Sequence, residues 1–423
     1  MEFGKGYCAK VDDRFSIHIA ENTEEEIEAI INLNMEVHQN EVLQTFIHQI
    51  FIEYPRKSEI LWLYIKDNKE NKQVSSICLA PLEWQIEDII LPVCIMEFVG
   101  TLEQYRGKGF IKILNELYEN IMDQNGYILS VITGIPYFYR SLGYEYVSSL
   151  DERITIPASK IPKKKYESIN IRKANSSDIP FIESKYTQFH RNFYIFNRFD
   201  PECFRFKYLK DQFNSEVRST YIFEDAGVPI NYFSFGMSYD NQNFEIYSSD
   251  LNKKEMITLL QFIKTMGTYN ENDIINLSIN EHLPVFNYII SLGGTHVSTY
   301  GWQVKIPNLE KFFHLIKKII ENRVKYSEFK GLTKTIRISD YNNTIELDFK
   351  KGKIEKIEIE KEYQNLKPID LSIPGALLFK LLVGDRTIDE INYIIKDALV
   401  SISSKKLIET MFPKKKSLFG SYL

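Results

Sequence analysis

The stretch from Ile95 to Tyr144 most constrains the fold, because it predicts a strand, a tight turn and a helix in direct succession. Met96 to Val99 is a short apolar run typical of a buried strand. The segment from Gln104 to Gly109 then contains two glycines, which indicates a turn. From Phe110 to Met122, apolar residues recur at the spacing of one helical face. An α/β unit is therefore expected here.

The predicted turn has the chemistry of an anion site. Gly107 and Gly109 allow positive φ and a close approach of backbone N–H groups to a ligand. The helix that begins at Phe110 adds unpaired N–H donors and a partial positive charge. Arg106 and Lys108 place two cations at the same point. This arrangement suits a pyrophosphate, and a basic surface turn without a ligand is the alternative.

Two segments of this stretch resemble those of a known family. Gln104-x-x-Gly107-x-Gly109 resembles the acyl-CoA loop of the GCN5-related N-acetyltransferases, Q/R-x-x-G-x-G/A. The segment from Phe138 to Tyr144, FYRSLGY, resembles that family's F-Y-x-x-x-G-[FY] turn. Neither the third glycine of a Rossmann loop nor the Lys-Ser/Thr of a Walker loop is present. The resemblance implies acetyl-CoA as cosubstrate.

The same resemblance implies where acetyl-CoA binds. The strand around Glu97 would pair with the pantetheine arm, and a backbone N–H near Val99 would bind the thioester oxygen. The loop from Tyr105 to Phe110 would hold the pyrophosphate, and Gly134 would border the acyl group. The residues implied in cofactor binding are Phe98, Val99, Gln104, Tyr105, Arg106, Gly107, Lys108, Gly109, Phe110, Gly134 and Ile135.

With 423 residues, the chain is long enough for two to three domains. The first, residues 1–160, would be the catalytic α/β domain, with Ile154-Thr155-Ile156 as its last strand. The second, residues 161–303, repeats the strand and capped helix of the first but lacks the glycine loop. We interpret it as a degenerate copy, and an unrelated α/β domain is the alternative. Residues 304–423 show a helix, alternating strands and further helices, which is an α+β pattern.

Three segments of the last part resemble one branch of the family. They are Trp302–Pro307, Leu381–Arg386 and Leu407–Lys414, and they look like the sterol-carrier-like C-terminal domain of the enhanced-intracellular-survival type of acetyltransferase. This resemblance implies tandem acetyltransferase folds followed by that domain, with acetyl-CoA bound only by the first. It also implies a homo-oligomer.

Three residues are candidates for proton transfer. By resemblance, Tyr139 matches the family's general acid, and its ordinary pKa of about 10 keeps it protonated near neutrality. Glu97 lies on the cofactor strand and is a candidate base, although strand alternation could direct its carboxylate away from the pocket. In the resembled branch the terminal carboxylate, here that of Leu423, returns to the first active site. The branch usually ends in an aromatic residue, so a disordered tail is the alternative.

Composition excludes several classes of protein. A net charge of −5 argues against a nucleic-acid partner. Four scattered cysteines indicate free thiols, and the chain has neither a leader peptide pattern nor a long apolar run, so we expect a cytoplasmic protein without a membrane partner. Seven dispersed histidines predict no metal site.

The sequence thus predicts an acetyl-CoA-dependent N-acetyltransferase, an acyltransferase acting on a primary amine of a small molecule or on an exposed lysine. Aminoglycosides are a first acceptor to test, because polycationic amines suit an acidic protein. Two alternatives remain. One is an aminoacyl transferase of the tandem type, and the other is a non-catalytic acyl-CoA or lipid sensor.

Overall fold

The computed structural model describes residues 2–150, 152–213, 216–237, 243–297, 299–361 and 368–422. Its strands, in chain order, are β1 (Cys8–Lys10), β2 (Phe15–Ile19), β3 (Leu61–Asp67), β4 (Lys72–Ile86), β5 (Ile89–Thr101), β6 (Leu129–Ile132), β7 (Glu145–Ser149), β8 (Glu152–Pro157), β9 (Ile169–Lys173), β10 (Ile195–Asn197), β11 (Asp211–Phe213), β12 (Glu216–Asp225), β13 (Val228–Met237), β14 (Phe244–Ser248), β15 (Ile274–Ile279), β16 (Thr295–Val297), β17 (Gly301–Lys305), β18 (Lys334–Ser339), β19 (Asn343–Lys350), β20 (Lys353–Lys361), β21 (Leu371–Ser372) and β22 (Leu399–Val400).

The α-helices follow the same chain order. They are α1 (Glu24–His38), α2 (Val42–Ile52), α3 (Phe110–Asn125), α4 (Ile179–His190), α5 (Pro201–Tyr208), α6 (Lys253–Met266), α7 (Pro284–Ser291), α8 (Leu309–Lys325), α9 (Leu378–Leu382), α10 (Ile388–Ile394) and α11 (Lys405–Met411). At the start of α1, Thr23 and Glu26 form a reciprocal capping box. None of the helices in the described ranges is long and apolar enough to cross a membrane.

The first sheet has the strand order β1-β2-β3-β4-β5-β6-β17-β7, and β10 pairs with β4. Its strands run antiparallel except for β5 and β6, which are parallel and are joined by α3 as the crossover helix. The register of this parallel pair covers only Val93 to Ile95 on β5. Beyond Ile95 the two strands separate, which opens a gap in the sheet.

A β-bulge on β5 lies in this gap. The register with β4 shifts between Ser76 and Cys78, and Phe98 has a φ of 50°. Two hydroxyls hold the bulged strand in place: Ser75 Oγ donates to the Gly100 carbonyl oxygen at 2.9 Å, and Ser76 Oγ donates to the Phe98 carbonyl oxygen at 3.2 Å. These two hydrogen bonds therefore hold the backbone of Phe98 and Gly100 in place where the sheet opens.

The second sheet repeats the plan of the first. Its order is β11-β12-β13-β14-β15-β8-β16, with β9 paired to β12. Again one pair is parallel, β14 with β15, and α6 is the crossover helix. The expected repetition of the strand-and-helix pattern is therefore seen in the structure.

The two sheets exchange a strand. β17, which follows the second unit in sequence, lies between β6 and β7 of the first sheet. In return β8, which follows the first unit, lies between β15 and β16 of the second sheet. The prediction that Ile154-Thr155-Ile156 closes the first sheet is therefore wrong, and the run that begins at Trp302 belongs to the first sheet rather than to the C-terminal unit. A strand-like sequence pattern carries no information on which sheet accepts the strand.

The C-terminal unit is α+β, as predicted. Its sheet has the order β20-β19-β18-β21-β22, and β19 turns into β20 at Lys351 and Gly352, both of which have positive φ. A single hydrophobic core connects this unit to one face of the first sheet, and Trp84, Ile95 and Phe313 all belong to it. Its likeness to a sterol-carrier domain stays a prediction.

The chain returns to the first sheet through its C-terminal tail. Leu418 N–H donates to the Ile195 carbonyl oxygen at 2.8 Å. Trp84 Nε1–H donates to the Gly420 carbonyl oxygen at 3.0 Å, and the Phe419 ring stacks on Trp84 with a centroid distance of 4.5 Å. The described part of the tail is thus packed against the first sheet, contrary to the alternative of a disordered tail.

We expect Gly301→Ala to destabilise the protein by about 2 kcal/mol, because an added methyl group would collide with the Ser148 carbonyl oxygen of the neighbouring strand. Chemical denaturation with an intrinsic fluorescence readout measures this change. Gly236→Ala is a matched control on an interior strand, since the atoms nearest to its methyl group would belong to the Arg218 side chain at 3.3 Å and the Glu245 side chain rather than to the backbone. Equal stabilities of the two variants would contradict the tight contact of the exchanged strand.

Candidate active site

A cleft of about 790 Å³ opens where β5 and β6 separate. Ten of the eleven residues predicted to bind the cofactor lie in its walls. The exception is Gln104, whose side chain is exposed on the short 3-10 turn Glu103–Tyr105, outside the cleft walls. Residues brought together in the cleft are Phe98, Val99, Tyr105, Arg106, Gly107, Lys108, Gly109, Phe110, Gly134 and Ile135.

The glycine loop presents unpaired backbone donors to this cleft. Gly107 and Gly109 have φ of 80° and 78°, a conformation that L-residues rarely adopt. Gly109 is the N-cap of α3 and supplies no side-chain cap. Within the described chain, the N–H groups from Gly107 to Ile111 donate to no carbonyl oxygen. Five successive free donors at a helix N-terminus fit a pyrophosphate.

The buried carboxylate of Asp67 holds the loop through Tyr105 and is paired with the exposed side chain of Arg14. The Tyr105 hydroxyl donates to Asp67 Oδ2 at 3.0 Å, and Arg14 contacts the same oxygen at 2.6 Å. Hydrogen bonds from Arg14, and then from Tyr105, hold the pKa of Asp67 well below its usual range. Arg14 and Asp67 were not predicted from the sequence, because their partner in the loop lies 38 or more residues away.

Tyr139 lies at the inner end of the cleft. It sits on the 3-10 turn Phe138–Leu142, and only 6% of its surface is exposed. Its ring packs directly on the backbone of Gly134, where any side chain would collide with it. In the described chain its hydroxyl has no hydrogen-bond partner. Burial, and then the nearby Glu97 carboxylate, raise the pKa of Tyr139 well above its ordinary value, so it stays protonated at neutral pH.

A second cavity borders the cleft. This inner chamber has a volume of about 240 Å³, and Glu97 and Thr133 line both it and the cleft. Side chains from α4, α5, β13 and the tail form most of its remaining wall. Glu97 and Thr133 therefore mark the junction, the place where the two cavities border each other.

Glu97 has the protonation behaviour of a base. Its carboxylate reaches the surface of the two cavities but lies deep inside the protein, and this burial raises its pKa to about 7. The ammonium group of Lys207 on α5 partly opposes the shift. Strand alternation left the direction of Glu97 open, and the structure directs it to the junction.

The tail forms part of the chamber wall. Phe419 and Tyr422 line it, and Lys207 Nζ donates to the Ser421 carbonyl oxygen at 2.9 Å. Leu423, the third candidate for proton transfer, lies outside the described residues, so the role of its carboxylate stays a prediction.

The chamber also contains a histidine that is not a base. Burial lowers the pKa of His190 to about 3, so its ring is neutral at physiological pH. Its Nδ1 lies 2.8 Å from the Tyr186 carbonyl oxygen and its ring stacks on Tyr186. We interpret His190 as a structural residue. Across the described ranges, no group of three or more His, Cys, Asp or Glu side chains is placed to hold a metal ion.

Comparison with known families gives a match over the part of the chain that builds the cleft. Residues 18–147 match the family model described as acetyltransferase (GNAT) domain. Residues 18–147 are thus an acetyltransferase domain. The chain is accordingly an acyltransferase, as its sequence predicted, and the GNAT domain contains the glycine loop, Glu97 and Tyr139. No curated protein matches the sequence significantly.

Solved structures share the fold over nearly the whole chain. A probable N-acyltransferase from Enterococcus faecalis, a conserved protein of unknown function, aligns with 97% of this chain and 99% of its own at 14% identity and a TM-score of 0.71. A GCN5-related N-acetyltransferase from Anabaena variabilis aligns with 95% and 99% at 15% identity and a TM-score of 0.69. Eis1 from Mycobacterium abscessus aligns with 96% and 99% at 11% identity and a TM-score of 0.64. At these identities the likeness concerns the fold alone.

We expect Gly107→Glu to weaken the binding of acetyl-CoA by about tenfold or more, because a carboxylate among the free N–H groups repels a pyrophosphate. Isothermal titration calorimetry measures the dissociation constant. Gly331→Glu is the matched control, since Gly331 has a φ of 79° and open space at its Cβ position but lies in the C-terminal unit. Unchanged affinity in Gly107→Glu would contradict the pyrophosphate assignment.

Proposed function

We propose that the chain is an acetyl-CoA-dependent N-acetyltransferase that acetylates a primary amine. The observation that carries this proposal is the junction of the cleft and the inner chamber, where Glu97 faces the chamber and Tyr139 closes the inner end of the cleft. A base on the acceptor side and an acid on the cofactor side are what aminolysis of a thioester requires.

The walls of the cleft are suited to hold acetyl-CoA in one orientation. The free N–H groups from Gly107 to Ile111 would bind the pyrophosphate. The open edge of β5 beyond Ile95 would hydrogen-bond the pantetheine arm, and the bulge at Phe98 would direct the Val99 N–H towards the thioester oxygen. These contacts would place the thioester carbon at the junction.

The proposed reaction is a direct attack by the amine. Glu97 accepts a proton from the ammonium group and releases it to solvent, the neutral amine nitrogen then forms a bond to the thioester carbon, and Glu97 accepts the second proton that this nitrogen loses. The C–S bond then breaks, and the Tyr139 hydroxyl donates a proton to the leaving sulfur, giving the amide and the CoA thiol. Tyr139 regains a proton from solvent, while Glu97 releases one.

Several features favour this function over the alternatives. The intact glycine loop and the net charge of −5 disfavour an aminoacyl transferase that draws on charged tRNA. Tyr139 is buried and its hydroxyl is available, and it lies near Glu97, whose pKa is raised. This pair favours catalysis over sensing. We retain as predictions a cytoplasmic location, a homo-oligomer, the absence of a nucleic-acid or membrane partner, and an acceptor that is a small amine or an exposed lysine.

We expect Tyr139→Phe to lower kcat by about 100-fold, because the leaving thiolate then has no proton donor. The affinity for acetyl-CoA should change by less than about twofold, since the ring still packs on Gly134. Tyr137→Phe is the matched control, because Tyr137 lies in the same turn and its side chain is 80% exposed. Thiol release measures the rates. Full turnover by Tyr139→Phe at all pH values would exclude Tyr139 as the acid.

The pH dependence should follow Glu97. A base works as the carboxylate, so kcat should rise with pH and level off above the Glu97 pKa of about 7. Glu97→Gln keeps the shape of the side chain but cannot accept the proton, and we expect it to remove this inflection and to lower kcat by about 100-fold. An inflection near pH 7 that persists in Glu97→Gln would assign the base to another group.

A further inference from the structure

The inner chamber sets a limit on the size of the acceptor. An apolar cavity of about 150 Å³ binds one benzene molecule. The chamber holds about 240 Å³, and the remaining volume corresponds to about three non-hydrogen atoms if each takes the share of one water molecule, about 30 Å³. The space therefore fits one six-membered ring with a short chain, whereas a trisaccharide such as an aminoglycoside is several times larger.

Eight of the 22 residues that line the chamber are Phe, Tyr or Trp, and polar side chains such as Asn197 and Asn280 form part of the remaining wall. Tyrosines come from the second unit and from the tail, and Trp302 comes from the exchanged strand of the first sheet. The tail ring Phe419 faces Trp302 edge-on at 6.2 Å, and Tyr208 lies 5.8 Å from Tyr247. Aromatic side chains in this wall can stack on an aromatic ring of a ligand, and the faces of their rings attract an ammonium group.

The charges in the chamber suit one amine rather than several. Of the lining residues that the structure describes, Glu97 is the only acid, and Lys207 adds a buried cation. An acceptor with three or more ammonium groups would leave most of them desolvated without a partner, which costs several kcal/mol for each buried charge. A single amine placed at Glu97 has its partner.

We propose that the acceptor is a small primary monoamine that carries one aromatic ring on a short alkyl chain. The amine lies at the junction beside Glu97, and the ring lies among the aromatic side chains of the inner chamber. This assignment rests on the proposed N-acetyltransferase function and specifies its substrate class. It replaces the polycationic acceptors that the acidic composition suggested.

The test is an acceptor panel with the full-length enzyme and acetyl-CoA, read by thiol release and by mass of the product. The panel contains 2-phenylethylamine, spermidine, kanamycin and a lysine-containing peptide. We expect kcat/KM for 2-phenylethylamine to exceed that for each of the others by about 100-fold, because the larger or multiply charged amines lose their solvation without a matching site. Acetylation of kanamycin, spermidine or the peptide at an equal or higher kcat/KM would overturn the acceptor assignment and leave the acetyltransferase function intact. Acetylation of no amine, with acetyl-CoA bound, would overturn the acetyltransferase function itself.

A wall variant tests the chamber directly. Tyr247→Ala removes a ring from the wall, and we expect it to raise the kcat/KM ratio of tryptamine to 2-phenylethylamine by about tenfold. Tyr221→Ala is the matched control, because Tyr221 packs on Phe233 on the opposite face of the same sheet. Acetyl-CoA affinity reports whether each variant is folded, and Tyr247→Phe, which keeps the ring, is a second control at the same position. This second variant should keep the ratio within about twofold of the starting protein. The acceptor ring would lie outside the chamber if Tyr247→Ala left this kcat/KM ratio unchanged. The same conclusion would follow if Tyr221→Ala or Tyr247→Phe shifted the ratio as much as Tyr247→Ala does.

Discussion

The separation of β5 from β6 beyond Ile95 is the constraint on which the rest of the structure depends. A parallel pair that continued to Thr101 would satisfy the backbone groups of both strands and leave no gap. Instead the bulge at Phe98 turns β5, and the Ser75 and Ser76 hydroxyls of β4 donate to carbonyl oxygens of the bulged segment. The cleft, the exposed strand edge and the junction at Glu97 all follow from this one interruption.

The exchanged strands explain how a site can be built from distant parts of the chain. β17 stands between β6 and β7, so the second unit cannot move away from the first without breaking both sheets. Trp302, on that strand, then contributes to the inner chamber together with α4, α5 and the tail. A rigid connection of this kind keeps the chamber wall at a fixed distance from Glu97, as catalysis demands.

Local features of the site were predictable from sequence, and the long-range ones were not. The glycine loop, the helix start at Phe110 and the aromatic turn around Tyr139 are set by neighbouring residues, and the structure places them in one cleft. Which sheet Ile154-Thr155-Ile156 joins depends on which hydrophobic core receives its apolar side chains. Ile154 and Ile156 are fully buried in the core of the second unit. The anchoring of Tyr105 by Asp67 and the packing of the tail on Trp84 depend on contacts between distant residues, which single-sequence patterns do not encode.

The base chemistry proposed for the first unit depends on the C-terminal tail. A glutamate at a protein surface is ionised at neutral pH and is too weak a base to deprotonate an ammonium group. Glu97 becomes a stronger base only because it is desolvated, and the chamber beside it is walled in part by Phe419 and Tyr422. The tail is held there by Trp84 and Lys207, which belong to the first and second units. Residues of all three units therefore enclose one carboxylate, which gives a physical reason for the C-terminal unit to be joined to an acetyltransferase domain.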